Sequence, residues 1–591
     1  MRKLTEKEIG MLENQGCRAD DWSLVEVDED DFRVERVEDV CFHGHVCLGG
    51  LSGSVEVEEG FVRPCGVRRA VLHDVSVGHD CLIENVHGYV SCYDVGDRVY
   101  LSNVGVLTTQ GVPTFGEGTV VAVKNEGGDG NVVLYGKLTA QTAWLMLEHE
   151  SVRSLARREV ERRSGGLRGM IGAGSRIVGV KEMMNVRVGE SCEVQGASRL
   201  TESTILSSDA APVLVGPDVV LENCVVAAGA TVTDGARLYN CFVGESAHVG
   251  RGFSGESSLF FANAHMDNGE ACAAFCGPFA CSHHKSTLLI GGEFSFYNAG
   301  SGTNQSNHAY KMGPIHYGTL ERGSKTASGS HILWPAQIGA FTMVMGKLTC
   351  HPDLRRLPFS YVLAKDDTAW VVPGINIRTV GTWRDVRKWP KRDHRPHGAR
   401  RDLVNFAFPN PFVIQEVLEG RKLLEQLLTD TTEEVVMYEG CQMRRSAVVK
   451  GIQYYDLAIR LFVYEMMNKS NDSGNEAGAD EWVDLAGMLA PKREVDRIVA
   501  DVESGNISTS DELLMVLNQV HADYRANAAD YLQSLLQQLS QSMFVEMDNW
   551  LAEAEQANRL WLRMVRDDAE HEFQLGDVSE ADLREFLEGV K

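Results

Sequence analysis

The chain has 591 residues, 83 acidic against 57 basic side chains, a net charge of −26, and 43% hydrophobic content. This is the composition of an ordinary globular protein, long enough for a solenoid with an appendage, and its acidity argues against nonspecific binding to nucleic acid or an anionic membrane. Apolar runs of only a few residues exclude a membrane span, and the charged start Met1-Arg2-Lys3-Leu4-Thr5-Glu6-Lys7-Glu8 lacks the apolar core of a signal peptide, so a cytoplasmic location with 14 reduced cysteines is expected.

Residues 1–66 read as an N-terminal cap. Within it, Thr5 followed by Glu8 forms a capping box that predicts a short helix over 5–15. From Val71 the chain reads in sixes: VLHDVS, VGHDCL, IENVHG, YVSCYD, VGDRVY, LSNVGV. The first positions are Val71, Val77, Ile83, Tyr89, Val95 and Leu101, with Gly78 and Gly96 directly after their aliphatic residue. The register returns at Val188-Gly189, Val215-Gly216, Val243-Gly244 and Val249-Gly250. A period of six fits neither an amphipathic helix nor a half-buried strand. It fits a triangular coil, in which each flat face sends one large aliphatic residue inward and stacked coils bury a shared column.

These units resemble the hexapeptide-repeat superfamily, clearly over residues 67–136 and 170–350. The resemblance implies a left-handed parallel β-helix (an LbH solenoid). Residues 67–136 form its first block and 166–350 its second. The intervening segment 137–165 predicts a helical insertion: over 138–163, Leu145, Val152, Leu155 and Ala156 share one face, suited to packing on the outside of the coils. Residues 351–409 read as a β exit and a basic, Trp-containing linker.

Only nine of 58 glycines lie after residue 410, and of the prolines there only Pro411 and Pro491. That shift predicts an α-helical C-terminal domain over 410–591, with helices at 411–429, 445–468, 492–505, 510–545 and 548–569. The expected fold is therefore mainly β with a helical insertion and an all-α C-terminal domain. The layout also resembles a bacterial domain-of-unknown-function family with a two-block β-helix and a helical tail.

Histidine marks the candidate site. His265, His283, His284, His308, His316 and His331 fall within one stretch, and residues one coil apart stack in a solenoid. His titrates near neutrality and serves as a general base, so His283, His284, His308 and His316 are the base candidates. Lys285, Asn304, Gln305, Asn307, Lys311 and His331 are the substrate-binding candidates, since such side chains suit a hydroxyl-rich ligand. Taken singly, any of these histidines fits a structural ladder; the density of polar groups points to a site.

A second feature is the basic stretch 378–401, interleaved with Trp383 and Trp389. Arg384, Lys388, Lys391 and Arg392 are the phosphate-binding candidates; the competing reading is a linker pinned by charge onto acidic coils. Cys272, Cys276 and Cys281 precede His283, but their spacing is no recognised zinc pattern, so no metal ligand is assigned.

The resemblance implies an acyltransferase with acetyl-CoA or another acyl-CoA as co-substrate, a sugar or nucleotide sugar as acceptor, and a homotrimer. The alternatives are a non-enzymatic sugar-phosphate- or nucleotide-sugar-binding or scaffold protein, and a metal-dependent β-helix enzyme. No Gly-rich nucleotide-binding fingerprint accompanies the repeats.

Overall fold

The computed structural model describes residues 1–124, 127–128, 130–163, 166–306, 317–398, 400–469, 481–542, 549–576 and 579–590. Helix α1 (Glu6–Asn14) carries the expected capping box between Thr5 and Glu8. The chain then winds into a parallel β-solenoid, whose in-register pairs run from Arg18–Ala19 on Cys41–Phe42 to Met343–Met345 on Tyr361–Leu363. The coils begin inside the expected cap: Val25–Val27 pairs with Val46–Leu48, and Val37–His43 with strand Gly66–His73. The 3-10 turns at Trp22–Leu24 and Val34–Arg36 interrupt any six-residue pattern there.

The period is not strictly six. Thr231, His248, His265, Cys281 and Asn298 take equivalent places on successive coils, in steps of 17, 17, 16 and 17 residues. Three hexads would need 18, so a strict reading in sixes loses register. Earlier, the pairing shifts between Val86 and Tyr89; Val71 and Tyr89 leave the core, while Leu72 and Val90 are buried in it. Corners are turned by short polar residues at positive φ, such as Asn263 (55°) and Asn268 (57°), which tolerate the left-handed region better than branched side chains do.

Each coil has three faces. One is covered by the insertion, which the structure divides into α2 (Ala140–Glu148) and α3 (Glu150–Arg163), broken at the extended residue His149. With the hairpin Val120–Ala122/Asn131–Val133 these helices share a core with Phe242, Leu259 and Phe275. The second face carries Arg237, Ser254, Glu270, Leu288, Asn304 and His331 outward or edge-on in one ladder. The third carries the site.

The basic stretch folds into α4 (Val380–Lys388), capped by Thr379, and a 3-10 turn Pro390–Arg392. Helix α4, this turn and the chain beyond them, as far as residue 409, form a strap. Its Asp402 accepts from the backbone N–H of Ala140 (2.8 Å) and of Ala262 (2.9 Å), joining strap, insertion and solenoid through one buried carboxylate.

The C-terminal region is helical: α5 (Pro411–Asp430), α6 (Arg445–Lys469), α7 (Lys492–Ser504), α8 (Ser510–Ala522), α9 (Tyr524–Ser542), α10 (Trp550–Leu575) and α11 (Glu580–Gly589). The span 510–545 expected as one helix is broken at Asp523. Among the described residues two hairpins sit between helices, and one of them, Val435–Tyr438/Cys441–Arg444, extends the solenoid's exit sheet at Gln442 beside Trp370. Among the described residues no helix is long and apolar enough to cross a membrane.

Candidate functional site

On the third face, period-2 alternation sends Val249 and Met266 into the core and turns His248, Gly250, His265 and Asp267 outward. His248 and His265 are direct lateral partners on adjacent coils, and their rings stand 4.6 Å apart. Both aim Nε2 at the carboxylate of Asp267, at 3.2 Å from His248 and 3.1 Å from His265. The Asp267 side chain is only 3% exposed, and Arg251 lies 3.6 Å away at the rim.

Glycine at 250 makes the cluster fit. A Cβ there would lie 2.9 Å from His248 Nε2 and 3.1 Å from Asp267 Oδ1, tighter than ordinary contact. The next coil adds Cys281, laterally paired with His265, and His283, whose ring is 6.0 Å from that of His265 and whose Nδ1 is 2.9 Å from Cys281 Sγ.

The opposite wall comes from far along the chain. Asp385, Lys388, Trp389, Arg392 and His394 face the ladder across a cavity of about 610 Å³, to which Asn263 and Asn298 also contribute. Three contacts hold this wall down: Lys325 pairs with Asp385, Trp389 packs on Phe296, and Asn263 donates to Asp393 (3.0 Å) while accepting from the backbone N–H of His394 (3.0 Å).

Electrostatics follow from that enclosure. Burial, then the neighbouring imidazole of His265, lowers His248 below the usual range. Burial, then His284 and His265, does the same to His283. Burial and nearby Arg392 also lower Lys388. Burial pushes the Cys281 thiol up to about 11, although Arg392 and Lys388 oppose it. At His248 and His283 the uncharged imidazole is thus favoured, beside a thiol and opposite the basic side chains of Lys388 and Arg392: a setting for proton transfer on an anionic ligand.

Of the sequence-predicted residues, the cavity unites His283, Lys388 and Arg392. His284 and Lys285 are exposed on the turn beyond His283. Asn304 and His331 belong to the second face, His331 buried with Ser306 Oγ at 3.3 Å from its Nε2. Gln305 is fully buried in the coil interior, between Leu289 and Ile332. Asn304, Gln305 and His331 thus stand apart from the His283 cavity, because a side chain's face is set by its place in the coil. Asn307, His308, Lys311 and His316 lie outside the described residues. Arg384 leans on Asp385 at 3.6 Å, and Lys391 is exposed.

The remaining basic residues divide as charge pairing dictates. Arg395 is buried against Asp393 (2.8 Å) and Glu245 (3.4 Å), and the backbone N–H groups of Arg401 and Asp402 donate to Glu245. These residues pin the strap to the solenoid, while Lys388 and Arg392 face the cavity.

Sequence reasoning missed His248, Asp267 and Asn263 as site residues and left His265 without a role. A signal was present: His248 and His265 are 17 residues apart, one local coil. A larger space of about 860 Å³ lies between strap residues 404–409 and the helices, with His521 the one histidine among its described lining residues; it does not combine clustered imidazoles with a buried carboxylate.

A family model described as Domain of unknown function (DUF4954) matches residues 1–428, and a second, Domain of unknown function (DUF6819), matches residues 464–579. The first match covers solenoid, strap and most of α5. An uncharacterized protein of Treponema pallidum (strain Nichols) is 23% identical over 599 aligned residues, covering 90% of this chain and 80% of that one.

Proposed function

The chain belongs to the family described as Domain of unknown function (DUF4954), and for this member we propose a transferase that acts on a small, hydroxyl-bearing anion, of the class of sugar phosphates and nucleotide sugars. The observation that supports this reading is the single cavity in which His248, His265 and His283 face Lys388, Trp389 and Arg392. Lys388 and Arg392 would take the anionic group, Trp389 would offer a face for stacking, and Asn263 and Asn298 would orient hydroxyls. His283 is the base in this reading: its Nδ1 lies 2.9 Å from Cys281 Sγ, and in the tautomer that keeps the proton on Nδ1, Nε2 is left to accept a hydroxyl proton. The acyl-CoA thioester is the donor to test first, in keeping with the repeat pattern of the sequence.

The test is a thermal-shift series on the full chain with sugar phosphates, nucleotide sugars, coenzyme A and acetyl-CoA, followed by the same series on His283→Ala and on Lys388→Gln/Arg392→Gln. A ligand that binds only the folded state must raise the melting temperature. A shift with an anionic sugar that the double Gln variant loses supports the reading, and acetyl-CoA turnover that His283→Ala abolishes assigns the reaction. Absence of a shift with every sugar phosphate and nucleotide sugar overturns it, and leaves the scaffold reading.

A further inference from the structure

We propose that His248, His265 and Asp267 form a binding site for one first-row divalent metal ion, zinc or iron(II), open toward the cavity. One ring nitrogen from each imidazole and a carboxylate oxygen lie within 4.8 Å of one another. His248 Nε2 lies 3.2 Å from Asp267 Oδ1 and His265 Nε2 3.1 Å from Asp267 Oδ2, each about the edge of a coordination polyhedron: an ion about 2.0–2.2 Å from each ligand atom sets neighbouring ligands about 3–3.5 Å apart, and the carboxylate would reach the ion through one or both oxygens. Two imidazoles with one carboxylate is a ligand set suited to these ions, and three protein ligands leave positions for water or substrate.

The scaffold supports the assignment independently of the distances. Adjacent coils hold the two histidines in lateral register, so neither imidazole needs a loop to reach the ion. Gly250 keeps the space between His248 and Asp267 clear. Asp267 is nearly fully buried, and a buried carboxylate needs cationic partners. Here the two imidazoles supply hydrogen-bond partners, and the cation beside it is the mostly exposed Arg251 at 3.6 Å. Among the described residues two other groups offer similar atoms, Glu26/His45/Cys47 and His73/Asp74/Cys92, but their carboxylates are far more exposed, at 27% and 40%. The inference deepens the reading of this cavity as the reaction site: an ion there would bind an oxygen of the substrate beside His283 and opposite Lys388.

The experiment uses the full chain, with any affinity tag removed, stripped with a chelating resin and titrated with Zn2+ and, as a spectroscopic probe, Co2+. The expected result is one tight equivalent per chain with visible Co2+ bands, weakened at least tenfold in His265→Ala and in the near-isosteric Asp267→Asn, and retained in a His45→Ala/His73→Ala variant. Circular dichroism on Asp267→Asn checks that the coil is intact. No tight equivalent in the wild type, or an equivalent that persists in folded Asp267→Asn, overturns the site. Ion binding read this way is independent of the sugar-ligand shifts: a metal equivalent without any ligand shift supports the site and sinks the transferase, and a ligand shift without a metal equivalent does the reverse.

Discussion

The indole of Trp389 packs on the ring of Phe296, with centroids 4.7 Å apart, and this contact lays the covering strap on the coil that carries the candidate site. The two residues are 93 positions apart in sequence. Trp389→Ala is expected to cost on the order of 2 kcal/mol, below the range for a fully buried Trp because the ring is half-buried. Loosening of the strap should weaken ligand binding in the cavity more than it lowers overall stability. Denaturant unfolding beside the ligand-dependent thermal shift checks this; an unchanged ligand shift in a destabilised variant would dissociate strap from site.

Lys388 and Arg392 face the ladder from that strap. Each Gln substitution should weaken an anionic ligand roughly tenfold, the lower end for a charge-assisted hydrogen bond, and should reduce the salt dependence of binding. Arg384→Gln, on the exposed side of α4, should leave affinity unchanged. Titration calorimetry at two salt concentrations reads both effects.

Gly250 separates His248 from Asp267. Gly250→Ala should leave the solenoid folded yet displace one of the two ligand groups, weakening Zn2+ binding by roughly tenfold. Equal zinc affinity in Gly250→Ala and the wild type would show that the His–Asp spacing does not matter.

Glu245 gives a stability signal away from the metal cluster. Burial, then the adjacent Asp402, raises its carboxyl from 4.5 to about 7. Between those values the folded chain binds more protons than the unfolded one. Its contribution is therefore fully present below about pH 4.5 and is lost as pH rises through about 7. The wild type should lose at most about 1.4 kcal/mol per pH unit across this window relative to Glu245→Gln. Parallel curves for the two proteins would show that Glu245 titrates normally.

Several features were legible in the chain itself. The hexads at Val71 and Val215 announced stacked coils because an inward aliphatic position recurs at nearly fixed spacing, and the parallel β-solenoid follows from that. The Thr5–Glu8 box and the fall in glycine and proline after residue 410 announced α1 and the helical C-terminal region, since capping and backbone freedom are local properties. His283, Lys388 and Arg392 were reachable from residue type alone.

The tertiary structure decided the rest. The length of each coil determines which histidines stand in one column: a step of 17 residues brings His248 to His265, and a step of 27 from Asn304 sets His331 on another face. Asp267 had no local mark, because its setting depends on the preceding coil, which lays His248 and Gly250 beside it. Charge composition could not divide the basic stretch into Arg395, which pairs with Glu245 and Asp393, and Lys388 and Arg392, which face the imidazoles. Local spacing specifies how each coil turns. Which side chains share a cavity depends on the summed rotation of many coils and on where the returning chain is pinned, and both are long-range consequences of packing.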